Sequence, residues 1–181
     1  ELYIPTEFAQ DLYDRILEAG KDHDLKLTGM HALNSLRLEK AYRHWGHDIT
    51  DEDNPLEAGL SFAVAWEKPG GFIGREALLR IKKEEPLKKR LVQFALENPE
   101  PLLYHNEPIW CEGKIVGETT SGMYGHTIGT CLGMGYVENE GGVSQDWLES
   151  VHFELEVAGE RFPARTSLKA FYDPKNLRII M

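Results

Sequence analysis

The sequence predicts an α+β fold in which a helical region, residues 1–86, precedes a small antiparallel Greek-key β-barrel, residues 87–181. In the first region apolar residues recur at intervals of three and four, which is typical of helices with one buried face. In the second region apolar and polar residues alternate, which is typical of strands. The charged stretch KKEEPLKKR, with its proline, separates the two patterns and predicts a domain boundary near residue 87.

Three helices are predicted in the first region, over residues 6–19, 30–45 and 75–83. Thr6 is expected to cap the first helix, and Gly20 to end it. The second helix carries apolar residues on two sides, which predicts burial between two layers.

Two strands are also predicted in the first region. The opening residues, ELYIP, alternate like a strand, and AGLSFAVAW is a short apolar run between turn-rich segments. Such a run suits a buried strand, so we expect the helices to pack on some sheet.

Six strands are predicted in the second region, at a spacing of roughly ten residues with turn residues between them. They are RLVQFALE, EPIWCEG, KIVGETTSG, TCLGMGYVE, VHFELEVAG and ERFPARTSL. Closure into a barrel or small sandwich removes exposed strand edges, so such an architecture is expected.

The segment from residue 113 to residue 137 is rich in glycine, which raises the question of a phosphate-binding loop. Such a loop needs its glycines in one turn between a strand and the amino end of a helix. No helical pattern follows this segment, and Gly133 and Gly135 lie inside an alternating run. The glycines are therefore interpreted as barrel-shaping residues.

Charge and composition exclude several classes of partner. A formal net charge of −10 argues against a broad nucleic-acid-binding face, because phosphates are neutralised by clustered lysine and arginine. No apolar run reaches the roughly 20 residues of a membrane span. The two cysteines, Cys111 and Cys131, form no CxxC pattern, so neither a zinc site nor a disulfide framework is indicated.

His44, His47 and Asp48 together offer two imidazoles and a carboxylate, a set that a metal ion could bind. Gly46 interrupts the helical register, and histidine also suits a helix carboxyl end, so polar helix-end groups are the favoured interpretation. Candidate nucleophiles lack a G-x-S-x-G elbow or a neighbouring base, which favours structural roles for Ser61, Ser121 and Cys131.

Two side chains suggest a heteroaromatic ligand. Glu1 is a carboxylate on an apolar strand, and Phe62 is an aromatic residue within a run of small and apolar residues. A ring with adjacent N–H donors could place its edge on the carboxylate and its face on the phenyl ring.

The order of several motifs adds to this reading, namely ELYIPTEFAQDLYDRILEAG, GMHALNSLRLEKAYRHWGHDI, NPLEAGLSFAV, FIGREAL, GETTSG and LGMGYV. Together they resemble the folate-binding domain of the glycine cleavage T-protein (aminomethyltransferase) family. ALNSLRLEKAYRHWG and NPLEAGL look closest to the carboxy-terminal region of dimethylglycine and sarcosine dehydrogenases. The resemblance implies the carboxy-terminal half of a T-protein-like folate-binding domain, followed by its barrel.

The resemblance also implies a tetrahydrofolate site. Glu1 would hold the amino and ring N–H groups of the pterin, with Leu2 and Tyr3 in the same contact. Phe62 would face the folate at a position where tyrosine is usual. Leu33 stands where the T-protein branch has an arginine, and Arg37, one turn later, is the proposed replacement or otherwise a structural residue.

The remaining expectations come from the resemblance alone. No catalytic residue is assigned to this chain, because the aspartate of the family would lie upstream, as would a flavin domain that carries FAD. The expected compartment is the bacterial cytoplasm or the mitochondrial matrix. Two alternatives stay open: a non-catalytic regulatory module of the same fold, and a stand-alone aminomethyltransferase of glycine cleavage.

Overall fold

The computed structural model describes residues 2–83, 86–178 and 180. The helices are α1 (Ala9–Gly20), α2 (Met30–Glu39), α3 (Arg75–Lys82) and α4 (Gln145–Ser150). The strands are β1 (Lys89–Leu96), β2 (Pro108–Cys111), β3 (Lys114–Gly125), β4 (Thr130–Glu138), β5 (Phe153–Val157) and β6 (Glu160–Ser167).

The six strands form a closed antiparallel barrel in the order β1-β4-β3-β2-β5-β6. All six predicted strands are present, and the fold is confirmed as mixed helix and sheet with a small barrel. The first strand pairs with β4 and β6 and not with β2, so the β1–β2 connection crosses the end of the barrel, as in a Greek key.

Glycines in β3 and β4 allow these strands to approach closely. A Cβ at Gly117 would lie 1.9 Å from the carbonyl oxygen of Tyr136, and one at Gly135 would lie 2.4 Å from that of Glu118. No larger side chain fits at either position. The glycine-rich segment therefore shapes the barrel wall, as its position within alternating runs predicts.

The interior of the barrel is filled by aliphatic and aromatic side chains. Phe94, Ile109 and Leu155 are completely buried, and the ring of Phe94 meets that of Phe153 edge to face at 5.8 Å. A second cluster lies outside the barrel, where Leu38 of α2 packs on β1 and β4. This outer cluster fixes α2 against the barrel wall.

The first helix differs from the prediction at its start. A 3-10 turn occupies Thr6–Phe8, and the α-helix begins at Ala9 without a side-chain cap, so the expected cap by Thr6 is wrong. The helix includes Gly20 and continues into a second 3-10 turn, Lys21–His23. The helix predicted over 75–83 is present as α3.

The second helix is shorter than predicted, because it ends at Glu39 and not at residue 45. Ala41 has a positive φ of 53°, and the backbone N–H groups of Lys40 and Tyr42 both bond to the carbonyl of Arg37. Only one side of α2 is buried in this chain. The prediction of burial on two sides is therefore not met by the described residues.

Neither strand predicted in the first region is formed. Residues 2–5 carry no strand, and AGLSFAVAW contains only a 3-10 turn, Ser61–Ala63. The N–H groups of Ala63 and Val64 bond locally, to Leu60 and Ser61. A strand needs a partner, and none of the described residues supplies one here, which explains the difference.

In the described part of the chain, none of the helices has the length and apolar character needed to span a membrane.

Candidate functional site

The residues predicted to contact a ligand lie at the surface. Leu2, Tyr3 and Phe62 are 68%, 89% and 85% exposed, while Glu1 lies outside the described residues. Leu2 and Tyr3 belong to an irregular segment ahead of α1, and Phe62 is the central residue of its 3-10 turn. Their apolar surfaces are thus open to a ligand or to another part of a protein.

Phe62 borders a cavity of about 680 Å3 between its own turn and the barrel. Leu2 and Tyr3 do not line this cavity. Its other described lining residues come from the loop before the turn, the start of β1, the start of α4 and the end of the barrel: Leu56, Gly59, Ser61, Pro86, Leu87, Arg90, Val143, Ser144, Gln145 and Leu168. The cavity combines apolar walls with a few polar groups, a composition that suits a small ligand.

The turn that carries Phe62 is anchored by Arg43. The Arg43 guanidinium donates to the backbone carbonyls of Ala58, at 3.0 Å, and Ala41, at 2.6 Å. Burial lowers the pKa of Arg43, while the nearby Asp48 carboxylate acts in the opposite direction. This arginine therefore ties the Phe62 segment to the end of α2.

Arg37 takes part in a network between α2 and the barrel. Its Nη1 donates to Asp48 Oδ2 at 2.8 Å, its Nη2 to Ser121 Oγ at 2.8 Å, and its Nε to Asn34 Oδ1 at 2.9 Å. Only 12% of the side chain is exposed. These contacts support the structural role of Arg37 over the alternative in which it replaces the arginine missing at position 33.

Asp48 is completely buried and is the centre of the same network. Besides Arg37, it accepts hydrogen bonds from the backbone N–H of His44, at 2.8 Å, and from Thr120 Oγ1, at 2.6 Å. The carboxylate is thus fully used by the protein. Among the described residues, no group of three histidine, cysteine or acidic side chains could hold a metal ion.

Two of the candidate nucleophiles, Ser121 and Cys131, are held within the fold. Ser121 accepts a hydrogen bond from Arg37, and Cys131 is completely buried in the barrel. Burial raises the pKa of the Cys131 thiol, which disfavours the reactive thiolate.

Three histidines line a small hollow beside Arg37, which we call the histidine hollow. The ring centroids of His44 and His47 are 4.6 Å apart, and those of His47 and His105 are 6.5 Å apart. Tyr104 stacks beside His105 at 4.4 Å. The hollow holds about 200 Å3 and is also lined by Met30, Asn34, Arg37 and residues 120–123 of β3.

Sequence reasoning did not find this hollow. His105 is far from the HxxH motif in the chain and reaches it only because the β1–β2 connection passes the end of α2. The pattern of the sequence carried no signal for this proximity.

Several large apolar side chains of the helices are exposed to solvent, and we call them together the open helical face. Phe8, Tyr13 and Ile16 of the first helical segment are 60%, 45% and 40% exposed. The same holds for three residues of α2, Met30, Leu33 and Leu36. The contacts of α1 are chiefly with the 3-10 turns on either side of it. These side chains are available for contact with another protein segment.

A closed Greek-key barrel with α2 packed on its outer wall and the open helical face exposed is the arrangement of a T-protein-type half-domain followed by its barrel. Two family models match the chain: the GCVT N-terminal domain over residues 1–68, and the glycine cleavage T-protein C-terminal barrel domain over residues 89–173. The chain belongs to the glycine cleavage T-protein family.

Similar proteins include large enzymes. The chain is 45% identical over 179 residues to 4-methylaminobutanoate oxidase (formaldehyde-forming) of Paenarthrobacter nicotinovorans, covering 99% of the chain and 21% of that protein. It is 37% identical to human mitochondrial sarcosine dehydrogenase, covering 99% of the chain and 20% of the dehydrogenase. The mouse mitochondrial pyruvate dehydrogenase phosphatase regulatory subunit is 36% identical, with 92% and 20% covered. The chain thus spans about a fifth of these relatives.

A solved structure has the same fold. Glycine cleavage system aminomethyltransferase T from Bartonella henselae matches with a TM-score of 0.72 at 25% sequence identity. The match covers 89% of this chain and 43% of the aminomethyltransferase. More than half of that fold therefore has no counterpart in the 181 residues.

Proposed function

We propose that the chain is the tetrahydrofolate-binding region of a flavoenzyme that oxidises an N-methyl amine. The observation that carries this proposal is similarity along 99% of the chain to a 4-methylaminobutanoate oxidase and a sarcosine dehydrogenase. Both names denote enzymes that act on a secondary amine with an N-methyl group. In the parent protein, tetrahydrofolate would accept the one-carbon unit as its methylene derivative.

Four residues of this chain are assigned to one wall of the proposed pterin site. Phe62 offers an aromatic face, which a flat heteroaromatic ring can stack on, and Leu2 and Tyr3 add exposed apolar surface. For Glu1, the carboxylate matches the paired N–H donors on the edge of a pterin. No residue here is assigned to FAD, which would supply the oxidation from an upstream domain.

The open helical face supports the proposal that this wall is completed by other parts of the parent. More than half of the aminomethyltransferase lies outside the match. A corresponding part of the parent protein would be large enough to cover Phe8, Tyr13 and Ile16. Burial of such side chains stabilises an interface by about 25 cal/mol per Å2. The domain boundary near residue 87 is part of the same proposal.

Binding by the isolated chain is expected to be weak. Affinity in small-molecule sites comes from pockets that enclose 70–90% of the ligand, roughly, and one wall cannot do this. Calorimetric titration with tetrahydrofolate should give a much larger dissociation constant for the chain than for the parent. Equally tight binding by both would contradict the proposal of a partial site.

Glu1 can be tested in the parent protein. Glu1→Gln should weaken tetrahydrofolate binding by about 1–3 kcal/mol, because it removes a charged acceptor opposite two donors. Glu140→Gln, at an exposed position of the barrel, is the matched control and should leave affinity unchanged. Unchanged affinity in both variants would refute the role of Glu1.

Phe62 allows a second test in the same assay. Phe62→Ala should weaken folate binding by about 0.5–1.5 kcal/mol through loss of ring stacking. Phe62→Tyr should retain the folate affinity, because the ring is kept. Trp45→Ala removes another exposed ring, 67% exposed, and should have no effect. An equal loss in Phe62→Ala and Trp45→Ala would show that general exposure, and not stacking, accounts for the change.

The alternative is a non-catalytic regulatory module, which the likeness to the pyruvate dehydrogenase phosphatase regulatory subunit favours. A parent that holds FAD, yet neither binds tetrahydrofolate nor oxidises N-methyl amines, would support this alternative. The compartment is proposed to be the bacterial cytoplasm or the mitochondrial matrix, since the relatives include bacterial and mitochondrial proteins.

A further inference from the structure

We propose that Arg43 is a positioning residue for Phe62, and that it holds the phenyl ring in the place where a flat ligand stacks on it. The link to folate rests on the proposed function. The link between Arg43 and Phe62 rests on the contacts of the turn alone.

The turn that carries Phe62 lies outside the barrel strands and the α-helices. It is a 3-10 turn, Ser61–Ala63, and Phe62 is 85% exposed. Packing around the ring therefore contributes little to its position. The position of the ring depends instead on how the backbone on either side of it is held.

The backbone ahead of the ring is held by two successive contacts. The N–H of Leu91 in β1 donates to the carbonyl of Glu57 at 2.8 Å, which joins the segment to the barrel. Arg43 bonds the next carbonyl, that of Ala58, and also that of Ala41 just beyond the end of α2. Both alanines are buried, so loss of the guanidinium would leave two carbonyls without this donor away from solvent.

Gly59 shows how closely Arg43 approaches the wall of the cavity beside Phe62. A Cβ at Gly59 would lie 2.7 Å from Arg43 Nη2, and the φ of Gly59 is +69°. Gly59, Ser61 and Phe62 all line the same cavity. Arg43 therefore contacts the backbone of the wall three residues before the ring that the wall presents.

The turn itself is closed by local hydrogen bonds. Trp66 Nε1 donates to the carbonyl of Ser61 at 3.1 Å, and the N–H of Ala63 donates to that of Leu60 at 2.9 Å. These bonds fix the shape of the turn, whereas Arg43 fixes its place relative to α2. A ring that is held before the ligand arrives costs less ordering entropy on binding, which raises affinity.

The first test measures tetrahydrofolate affinity of the parent protein by calorimetry. Arg43→Met removes both hydrogen bonds and should weaken binding by about two- to tenfold, as much as Phe62→Ala. The protein with both changes should bind no more weakly than Phe62→Ala alone, because Arg43 acts through the ring. Arg43→Lys keeps the charge without the planar fork and should not restore affinity. The control, Arg161→Met, changes an arginine stacked on Trp110 of the barrel and should have no effect.

A fluorine label tests the positioning without any ligand. With para-fluorophenylalanine in place of Phe62, Arg43→Met should move the fluorine NMR signal of the parent protein towards its value in the unfolded protein, because the ring then samples several positions. Arg161→Met should leave the signal in place. Gly59→Ala is a second variant, because its methyl group displaces the Arg43 guanidinium, and it should shift the signal in the same direction. It carries the test where Arg43→Met does not fold.

The outcomes separate this inference from the proposed function. If Phe62→Ala weakens folate binding and Arg43→Met does not, Arg43 is not a positioning residue, while the proposed function stands. Additive losses in the double variant, or full affinity in Arg43→Lys, would also overturn the inference. If Phe62→Ala leaves folate binding unchanged, the stacking role in the proposed function fails. The fluorine signal then still decides whether Arg43 holds the ring, and an unchanged signal in Arg43→Met would show that it does not.

Discussion

The barrel and the helical region of this chain differ in how completely their apolar side chains are buried. In the barrel, every strand pairs on both sides, and its interior residues reach complete burial. In the helical region, α1 has no buried residue, and much of α2 faces solvent. The barrel is therefore closed within the described residues, whereas the helical region leaves large apolar side chains exposed.

The two regions meet in a junction of buried polar contacts. Glu39, near the end of α2, accepts from the backbone N–H of Thr127 and Ile128, between β3 and β4. The Gln93 amide donates to the carbonyl of Leu38 and accepts from the N–H of Phe171, at 2.9 Å. Unlike the open helical face, this junction is closed, so α2 and the barrel should unfold together.

The largest expected contrast is between an inner and an outer phenylalanine. Phe94→Ala should lower the free energy of unfolding by about 3–5 kcal/mol, because it leaves a cavity in a closed core. Phe8→Ala, on the open helical face, should change it by no more than about 0.5 kcal/mol. Urea unfolding of the chain measures both. A large loss in Phe8→Ala would mean that α1 is buried in solution and would break the comparison.

The junction should show the next largest effect. Asp48→Asn should lower the free energy of unfolding by about 1.5–3 kcal/mol, because charge-assisted hydrogen bonds from Arg37 and Thr120 are lost at a buried position. Asp11→Asn removes an exposed pair with Arg15, in which Asp11 is 64% exposed, and should cost less than about 0.5 kcal/mol. A double-mutant cycle with Arg37→Met isolates the Arg37–Asp48 coupling. Additive losses would show that the pair is not coupled.

A smaller effect is expected at the cap of α4, on the barrel side. Ser144 Oγ accepts a hydrogen bond from the backbone N–H of Trp147 at 3.1 Å. Ser144→Ala should lower stability by about 1 kcal/mol, as removal of a helix cap does. Ser144→Asp should retain most of it. Equal stability of all three proteins in thermal melts would mean that the six-residue helix is not held by its cap.

The smallest expected effect is on how stability depends on pH in acid, and it involves Asp173 in the segment after β6. Burial opposes ionisation of Asp173, but hydrogen bonds from the N–H groups of Arg178 and Leu177, together with Lys40, outweigh it and hold its pKa below the usual value. A depressed pKa stabilises the fold above the unfolded-state value, about 3.9, and this stability is lost as pH falls further.

Wild type and Asp173→Asn should therefore differ in melting temperature at pH 6 and converge below about pH 3. Lys40 Nζ lies 3.5 Å from Asp173 Oδ2, so Lys40→Met should show a smaller difference in the same direction. If the difference in melting temperature between wild type and Asp173→Asn instead grew as the pH fell, the pKa of Asp173 would not be depressed in the folded protein.

The barrel could be predicted because its strands carry their signal locally. Segments such as KIVGETTSG and TCLGMGYVE have strand-like composition, and the turn that joins these two is short. For this reason sequence pattern and structure agree strand by strand.

The helical region was harder because its form depends on partners distant in sequence. Helix α2 stops early where Ala41 takes a positive φ, and the Arg37–Asp48 contact holds the turn that follows. No local pattern distinguishes that ending from a longer helix. The strand predicted around Phe62 has no partner among the described residues, and Phe62 faces solvent, whereas Ala58 at the start of the segment is buried.

The candidate ligand site was predicted through resemblance, and it stays a prediction. Glu1 lies outside the described residues, and the exposure of Leu2, Tyr3 and Phe62 is compatible with a wall that another segment completes. The histidine hollow required the three-dimensional fold, since His105 and His47 are brought together only by the path of the β1–β2 connection.

Closure of the sheet restricts how this polypeptide can associate with others. Each of the six strands already uses both of its backbone edges, β6 with β1 as the last pair. Templated strand addition, the common first step towards fibrils, therefore has no starting point in the barrel. Any contact with another chain would have to be made by side chains and not by a free strand edge.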